Sequence, residues 1–533
     1  MLTQTANSQI ELSLVQTPFE YVLDHDNDLF RLAKSLKWDE IEREVTAHYS
    51  QSMGRPSVPI RTMVGLNLYK FLRNRSDADV IKEYQENLYV QYLCGNQYFQ
   101  AQTPCAVNMM TLFRQRVGEA FFQYLLEQTI ELFGPGILVE DLVADTTVAP
   151  KNVARPNDQN LLMRTCDYCH KLADKYQISL NNTFKRELKS IKQTLRFEKN
   201  KKNEKEIKKC KRRLYTITGR LVRELKRKIN PEDLANESEL FDIFDRILVQ
   251  AEPDTIYRND KKAESEIAEV TAAYNQCKDY AAELGIELKS DYDTKLKEQI
   301  DIAKTTSDKG KQKIINAAIS KAFTIVKHIA SDLLSIFPDI DNISIQDQSI
   351  YNGLIEIHRN MNEHGKDHKI YSIHEPHTRA IIKDKPGSKY EYGCKVSFVK
   401  TTKSNVIVSV VPFFNNEHDA KTLEPSLDMA TELGVKSENV LTDRSYRSAS
   451  VGNNEIKHII PELPNEKDTK SERKQKQKMC AQRSGIEPII GHLKSDHRLN
   501  KIYLKGKFGD TVNAYMSAIA YNLTNYLRTK SCR

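Results

Sequence analysis

The sequence predicts an α/β protein with a mixed-sheet core, an all-helical N-terminal domain and a long helical insertion. Three observations predict it. Residues 1 to about 135 carry apolar side chains at three- and four-residue spacing, the helical period. A strand-like texture appears at 137–145 and returns after 390, rich in β-branched and aromatic residues. Between them, from about 160 to 350, the chain is almost free of Pro and Gly and rich in Lys, Glu, Ala, Leu and Ile.

Taken in order, helices are expected over Asp39–Tyr49, Ile60–Leu72, Ser76–Leu93 and Val107–Phe133. Gly54, Pro56, Pro59, Asn74, Gly95 and Pro104 separate them. Ile60–Leu72 and Ser76–Leu93, joined by Arg-Asn-Arg, fit a helix-turn-helix, though any αα-hairpin reads the same way. A strand through Ile137, Val139, Val143 and Asp145 is apolar on both parities, as suits the centre of a covered sheet. The insertion reads as long helices, with coiled-coil pairing one option. Leu214, Ile217, Leu221 and Leu225 form an apolar stripe for helix-on-helix packing. After Pro386-Gly387, strands are expected at Tyr390–Lys400 and Val406–Phe414, turning at Lys403-Ser404-Asn405. A helix Asp419–Leu433 ends at Gly434, and the short strand Val440–Thr442 delivers Asp443. A core helix Val512–Leu527 follows. The domain reading is 1–135 helical and expected to bind DNA, 136–160 the first part of the core, 161–370 the basic helical insertion, and 371–533 the remainder of the core.

Composition narrows the class. The chain has 533 residues, 39% apolar and 29% charged, which suits a globular protein of two or three domains. No charged leader followed by an apolar stretch opens it, so no secretory signal is expected. The longest apolar run, residues 406–414, is too short to span a bilayer. Nine widely spread cysteines fit reduced thiols, and the expected location is the cytoplasm.

The net charge of +8 is unevenly distributed. Thr183–Asn230 holds 19 Lys plus Arg against 5 Glu and no Asp, a balance of +14 that leaves −6 for the remainder. Such a segment fits a polyanion partner, with Lys208, Lys209, Arg212 and Arg213 as candidate DNA contacts. A solvated helical face is the alternative.

Three isolated carboxylates carry the chemical reading. Asp145 and Asp443 each end an apolar strand-like run. Glu487 lies among bases, with Arg483 four residues before it and Lys494 seven after. Displacement at a phosphodiester is served by paired Mg²⁺ ions on a few rigid carboxylates, with cations nearby to hold phosphates. Pro488 is best tolerated in a first helical turn, so a helix starting near Glu487 would leave Arg483 on the preceding turn. Glu140, Asp141 and Asp496 are local rivals for the metal-ligand role.

These blocks resemble the bacterial insertion-sequence transposases of the DDE type, in the insertion-sequence-five family. DTTVAPKNVARPND at 145–158 is similar to the family's first Asp block, and LTDRSYRS at 441–448 to its second. IEPIIGHLKSDHRL at 486–499 is similar to its Glu block. IYSIHEPHTRAI at 370–381 and KYEYGCKVS at 389–397 resemble the segment re-entering the core, and SDADVIKEYQENLYVQYLCG the helical domain preceding it. The resemblance implies a ribonuclease H-like core in which Asp145, Asp443 and Glu487 bind two Mg²⁺, with Mn²⁺ a substitute. It implies DNA contacts from Arg483, Lys494 and Arg498. Its partners would be the element's inverted-repeat ends and target DNA, with a homodimer or larger assembly on DNA and no membrane. Two departures stand out: Cys480 where some relatives have Tyr, and Ser445 where Gly is common.

Two motifs are decoys. Cys166-Asp167-Tyr168-Cys169-His170 matches a c-type haem pattern by spacing but reads as chance cysteines on a helix, since no second CxxC or export signal accompanies it. His364, His368, His374 and His377 read as surface histidines. The competing functional reading is a transposase-derived DNA-binding protein without catalysis, and a third is a nuclease without strand transfer.

Overall fold

The computed structural model describes residues 17–50, 57–154, 156–196, 204–251, 256–305, 312–337, 345–363, 369–385, 388–452 and 454–531. The helices and strands, in chain order, are α1 Phe19–Val22, α2 Asp28–Ser35, α3 Trp38–Thr46, α4 Ile60–Leu72, α5 Asp77–Glu86, α6 Leu88–Leu93, α7 Val107–Glu131 and β1 Leu142–Pro150. Then come α8 Asp158–Lys175, α9 Lys185–Leu195, α10 Glu204–Lys228, α11 Pro231–Asn236, α12 Ser238–Gln250, α13 Ile256–Glu283, α14 Ser290–Thr305, α15 Gln312–Leu334 and α16 Ile345–Glu363. The chain continues with β2 Arg379–Lys385, β3 Ser388–Thr401, β4 Ile407–Phe413, α17 Leu423–Glu432, β5 Asn439–Leu441 and β6 Lys457–Ile459. It closes with α18 Lys470–Ser484, α19 Ile486–Ser495 and α20 Gly506–Ser531. Two compact units result: Met1–Arg155 with His374–Arg533, and Pro156–Ile373.

The first unit is built on a six-stranded mixed sheet. β1 pairs antiparallel with β3, Asp145 opposite Phe398, and parallel with β5, Val143 opposite Leu441. Along its far edge β3 carries β2 beside its first half and β4 beside its second, both antiparallel. β6 extends the sheet in parallel beyond β5. Leu142, Val143, Ala144, Val148 and Ala149 are all buried although they alternate in direction, so both faces of β1 are covered. α17 packs on β3 and β4, α7 and α20 on β4, and α19 on β1.

The N-terminal helices share this core instead of forming a compact unit of their own: α4 and α7 pack against α20. α4 is buried on nearly every side, from Thr62 to Phe71. Its neighbour α5, opened by a capping box between Ser76 and Asp79, exposes Asp79, Lys82 and Glu86. α4 and α5 pack against each other as an αα-hairpin, turning at Asn74 with φ 53°.

Several expected elements change. Ser76–Leu93 is two helices, because the Asn87 side chain accepts from the Tyr89 and Val90 N–H groups and starts α6. Ile137–Val139 belongs to a 3₁₀ turn, Pro135–Val139, which follows Gly134 at φ 82°. Val139 is 65% exposed. Pairing starts only at Leu142 opposite Thr401, so Asp145 is mid-strand and does not end it. β2 and β6 were not anticipated. Both are edge elements, and β6 has only three residues.

His377 is not a surface histidine. It is buried, with Nε2 2.8 Å from Asp510 Oδ2, and Lys151 reaches Asp510 and Glu375 beside it. His374 is exposed; His364 and His368 lie outside the described residues.

In the second unit, the stripe Leu214, Ile217, Leu221 and Leu225 of α10 is fully buried, and α10 packs against α8, α9 and α12. Cys166 and Cys169 face this core from α8, and burial pushes the Cys166 thiol up to about 11. α15 contacts α13, α14 and α16 at once, burying Ile319, Phe323, Val326 and Ile329. A stripe that broad packs as a bundle and not as a two-helix coiled coil.

Gly393 sits where β2, β3 and β1 meet, opposite both Arg379 and Pro150. A Cβ there would lie 2.1 Å from the Ala149 carbonyl oxygen, a backbone atom that cannot step aside. Gly393→Val is expected to cost about 1–3 kcal/mol, read as a lower thermal midpoint. Gly491→Ala, where a Cβ meets nothing within 4 Å on a helix, should leave the midpoint in place or raise it.

Candidate active site

The register of β1 against β5 brings the first two carboxylates together. Val143 lies opposite Leu441 in a parallel pair, so Asp145 and Asp443, each two residues further on, come from equivalent positions on neighbouring paths. Asp443 follows β5 and caps a 3₁₀ turn, Arg444–Tyr446, with its Oδ1 accepting from the Ser445 N–H at 2.8 Å and from the Ser445 hydroxyl. Asp145 Oδ1 accepts from the Thr146 N–H at 2.8 Å. Each aspartate therefore has one oxygen anchored and the other turned elsewhere.

Both of those second oxygens meet Arg483. Its Nη2 lies 3.2 Å from Asp443 Oδ2 and 3.7 Å from Asp145 Oδ2, while Nη1 donates to Glu487 Oε1 at 2.6 Å. α18, opened by a capping box between Thr469 and Glu472, ends with Arg483 in its last turn. Gly485 then joins α18 to α19 in a helical conformation (φ −60°, ψ −11°), which preserves the four-residue contact across the break. Pro488 occupies the first turn of α19, as its missing N–H allows. Burial pushes the Asp145 carboxyl up to about 6; Arg483 and the Thr146 N–H oppose that shift, and Asp443 and Asp419 add to it.

Asp419 is a fourth carboxylate that sequence reasoning missed. Its Oδ1 accepts from the Thr146 hydroxyl at 2.7 Å and from Lys395 Nζ at 2.8 Å. Burial raises its pKa, but Lys395 and Thr146, with help from Ser445, outweigh that and hold it below the usual carboxylate range. Its partners come from β1 and β3, far away in sequence, so no local spacing could have found it. Tyr446, fully buried, has its phenol raised by burial beside the same group.

The rival acids are engaged elsewhere. Glu140 accepts from the Lys403 and Ser404 N–H groups in the β3–β4 turn. Asp141 accepts from the Asn439 side chain, and Asp496 pairs with His492 at 2.8 Å. Among the proposed DNA contacts, Lys494 and Arg498 line one cleft. In the second unit, Lys208, Lys209 and Arg212 are exposed on α10, whereas Arg213 is committed to an ion pair with Glu187.

The donors gathered at Arg483 are all carboxylate oxygens, the chemistry that hard divalent cations take. Among the described residues, no three acidic, histidine or cysteine groups converge closely enough to hold an ion by themselves, and it is the guanidinium that touches all three carboxylates. Arg483 Nε is buried and makes no hydrogen bond among these residues, so the fork is satisfied on its Nη side alone. The donor set fits Mg²⁺ or Mn²⁺ provided the Arg483 fork shifts its bonds. No helix among the described residues is long and apolar enough to cross a membrane.

Comparison with known proteins places these residues in context. Residues 17–116 match a Transposase domain (DUF772), and residues 366–523 match a Transposase DDE domain. Asp443, Arg483 and Glu487 fall inside the second match; Asp145 lies in neither. The uncharacterized protein ORF8 in the nfe locus of Rhizobium meliloti is 30% identical over 178 residues, covering 32% of this chain and 86% of that protein. No solved structure matches the chain. With a transposase domain, a DDE domain and a relative covered over most of its length, the chain belongs to the family of DDE-domain transposases.

Proposed function

We propose that this chain is an insertion-sequence transposase of the insertion-sequence-five type, which binds terminal inverted repeats and carries out metal-dependent DNA cleavage and strand transfer. One observation carries the reading: carboxylates from β1, the end of β5 and α19 all contact a single guanidinium. Three like charges converge on that cation, Asp443 and Glu487 by hydrogen bonds and Asp145 as an ion pair at 3.7 Å. The mixed sheet, antiparallel on one side of β1 and parallel on the other, supports a ribonuclease H-like core. In this reading 1–135 and 136–160 with 371–533 form the catalytic body and 161–370 is an inserted basic helical segment.

Two divalent cations bound by Asp145, Asp443 and Glu487 would supply activation of the attacking oxygen and stabilisation of the leaving one. The chain's own residues prepare that site. Thr146 and Ser445 hold one oxygen of each aspartate, so the free oxygens point inward with little rotamer freedom. Arg483 neutralises the cluster before substrate arrives, and its planar fork suits a phosphate as well as a carboxylate. When DNA enters, the guanidinium passes from carboxylates to phosphate and leaves the acids free for metal. Lys494, two helical turns beyond Glu487, lies where an adjoining phosphate would be held. Pairing two element ends in at least a dimer is part of the proposal by analogy with transposases generally.

Asp443→Asn should abolish Mg²⁺-dependent nicking and joining of repeat-end DNA while leaving its binding nearly unchanged. Wild-type protein that binds but never nicks would instead favour a DNA-binding protein without catalysis. Arg483→Ala removes the cation that the acids share. Its thermal midpoint without metal should fall below wild type, and millimolar MnCl₂ should raise it more than it raises the wild type. Equal metal shifts in both proteins would count against competition between Arg483 and metal. For the basic segment, changing Lys209 and Arg212 together to Gln should flatten the salt dependence of DNA binding by about two phosphate contacts. Arg213→Gln should contribute less, because its charge is paired with Glu187; an unchanged slope in the double variant would leave α10 as a solvated face.

A further inference from the structure

The first unit contains a cavity of about 910 Å³ between α4, α5 and α7 on one wall and residues 494–512 on the other. Six cations line it, Lys70, Arg114, Lys494, Arg498, Lys501 and Lys505, against Asp77 and Asp79. Lys70 and Arg114 both bond Asp77 at the inner wall. The positive excess therefore lies on the 494–505 side, where Lys501 and Lys505 are exposed.

That side is held rigidly. Leu499 and Ile502 are fully buried. The Ile502 N–H donates to the Pro150 carbonyl at 2.8 Å, and the Ile502 carbonyl accepts from the Asn152 N–H at 2.9 Å, which ties the segment to the end of β1. Arg498 adopts a left-handed backbone (φ 67°), uncommon for a residue with a Cβ. Its carbonyl accepts from Asn513, and its Nη1 donates to Asn74 Oδ1 at 3.3 Å. Strain over-determined on both sides tends to mark a functional segment. Between these anchors Tyr503 is 57% exposed, with the Arg498 guanidinium carbon 5.8 Å and Lys501 Nζ 5.7 Å from its ring centroid, both over the ring. An exposed aromatic ring kept out of the core by buried neighbours, with cations over it that can move onto phosphates, is the combination that holds unpaired nucleic acid.

We infer that this cleft takes an unpaired DNA strand running from the carboxylate cluster, its phosphates on Lys494, Arg498, Lys501 and Lys505 and one base stacked on Tyr503. The inference rests on the transposase reading and adds a strand type to it. Bases inside a duplex are already stacked on one another, so an exposed ring has value only for a base that has left the stack. The cleft begins at Lys494, about 10 Å along α19 from Glu487, so only a few nucleotides separate the two.

The test compares the full-length protein on two fluorescein-labelled probes of mixed sequence: a blunt duplex, and the same duplex with a five-nucleotide 3′ overhang carrying 2-aminopurine. Mixed sequence suffices because stacking tolerates any base. The overhang probe should bind more tightly, with quenched 2-aminopurine emission. Tyr503→Ala should weaken overhang binding by about tenfold and restore emission, leaving blunt-duplex binding alone, while Tyr503→Phe keeps both properties. Lys501→Gln with Lys505→Gln should lower the salt slope on the overhang probe. Equal affinity for the two probes, unchanged by Tyr503→Ala, would overturn the cleft assignment while the transposase reading stands. Wild-type protein binding neither probe would also overturn the cleft assignment; the transposase reading would fall only if repeat-end DNA were neither bound nor cut.

Discussion

The candidate site depends on one constraint: three carboxylates brought close together need a cation among them, and Arg483 is that cation. Its geometry divides the work. Nη2 takes the two aspartates that the sheet register sets side by side, and Nη1 takes the glutamate one helical turn away. A lysine would offer a point charge, whereas the planar guanidinium reaches in two directions at once. Everything that positions Arg483 is therefore part of the site, including the Thr469 cap of α18 and the helical backbone of Gly485.

The parts of this arrangement that were legible in the sequence are those written in short stretches. Glu487 with Arg483 four residues earlier announces a helical pair, and Val440–Thr442 announces a strand that delivers Asp443. Strands around Tyr390–Lys400 and Val406–Phe414 were legible from β-branched and aromatic runs, with Asn405 at positive φ in the turn between them. What was illegible depends on distant partners. Whether Ile137–Val139 joins the strand is decided by where β3 stops pairing, and Thr401 pairs first with Leu142. Asp145 appeared to end an apolar run only because the polar pair Thr146–Thr147 follows it, yet both remain in the ladder with β3. His377 looked like one of a polar cluster; Asp510, 133 residues later, makes it a buried group.

Charge distribution needs the same distinction. The 19 Lys and Arg of the basic segment are partly paired within their own unit: Arg213 with Glu187, Lys226 with Asp245, Lys228 with Glu224. Charge already paired releases fewer counterions on meeting a polyanion, so a residue count overstates the electrostatic contribution to binding. The apolar stripe of α10 was legible because burial follows the helical period, whereas ion pairing does not follow any local period. Exposed Lys209 and Arg212 remain the better candidates for contact on that helix.

Asp419 shows how the aspartates acquire their orientation. Its carboxylate bonds the Thr146 hydroxyl and Lys395, and Ser445 faces it from the turn after β5. Thr146 and Ser445 are also the residues whose N–H groups fix Asp145 Oδ1 and Asp443 Oδ1. One half-buried, lysine-compensated acid thus ties together the two segments that present the aspartates. Without Lys395 a fourth negative charge would add to the repulsion among the others; with it, Asp419 behaves as a neutral bracket. The acids facing Arg483 are consequently held from behind by hydrogen bonds and in front by charge, and only the frontal contact has to change for a metal or a phosphate to enter.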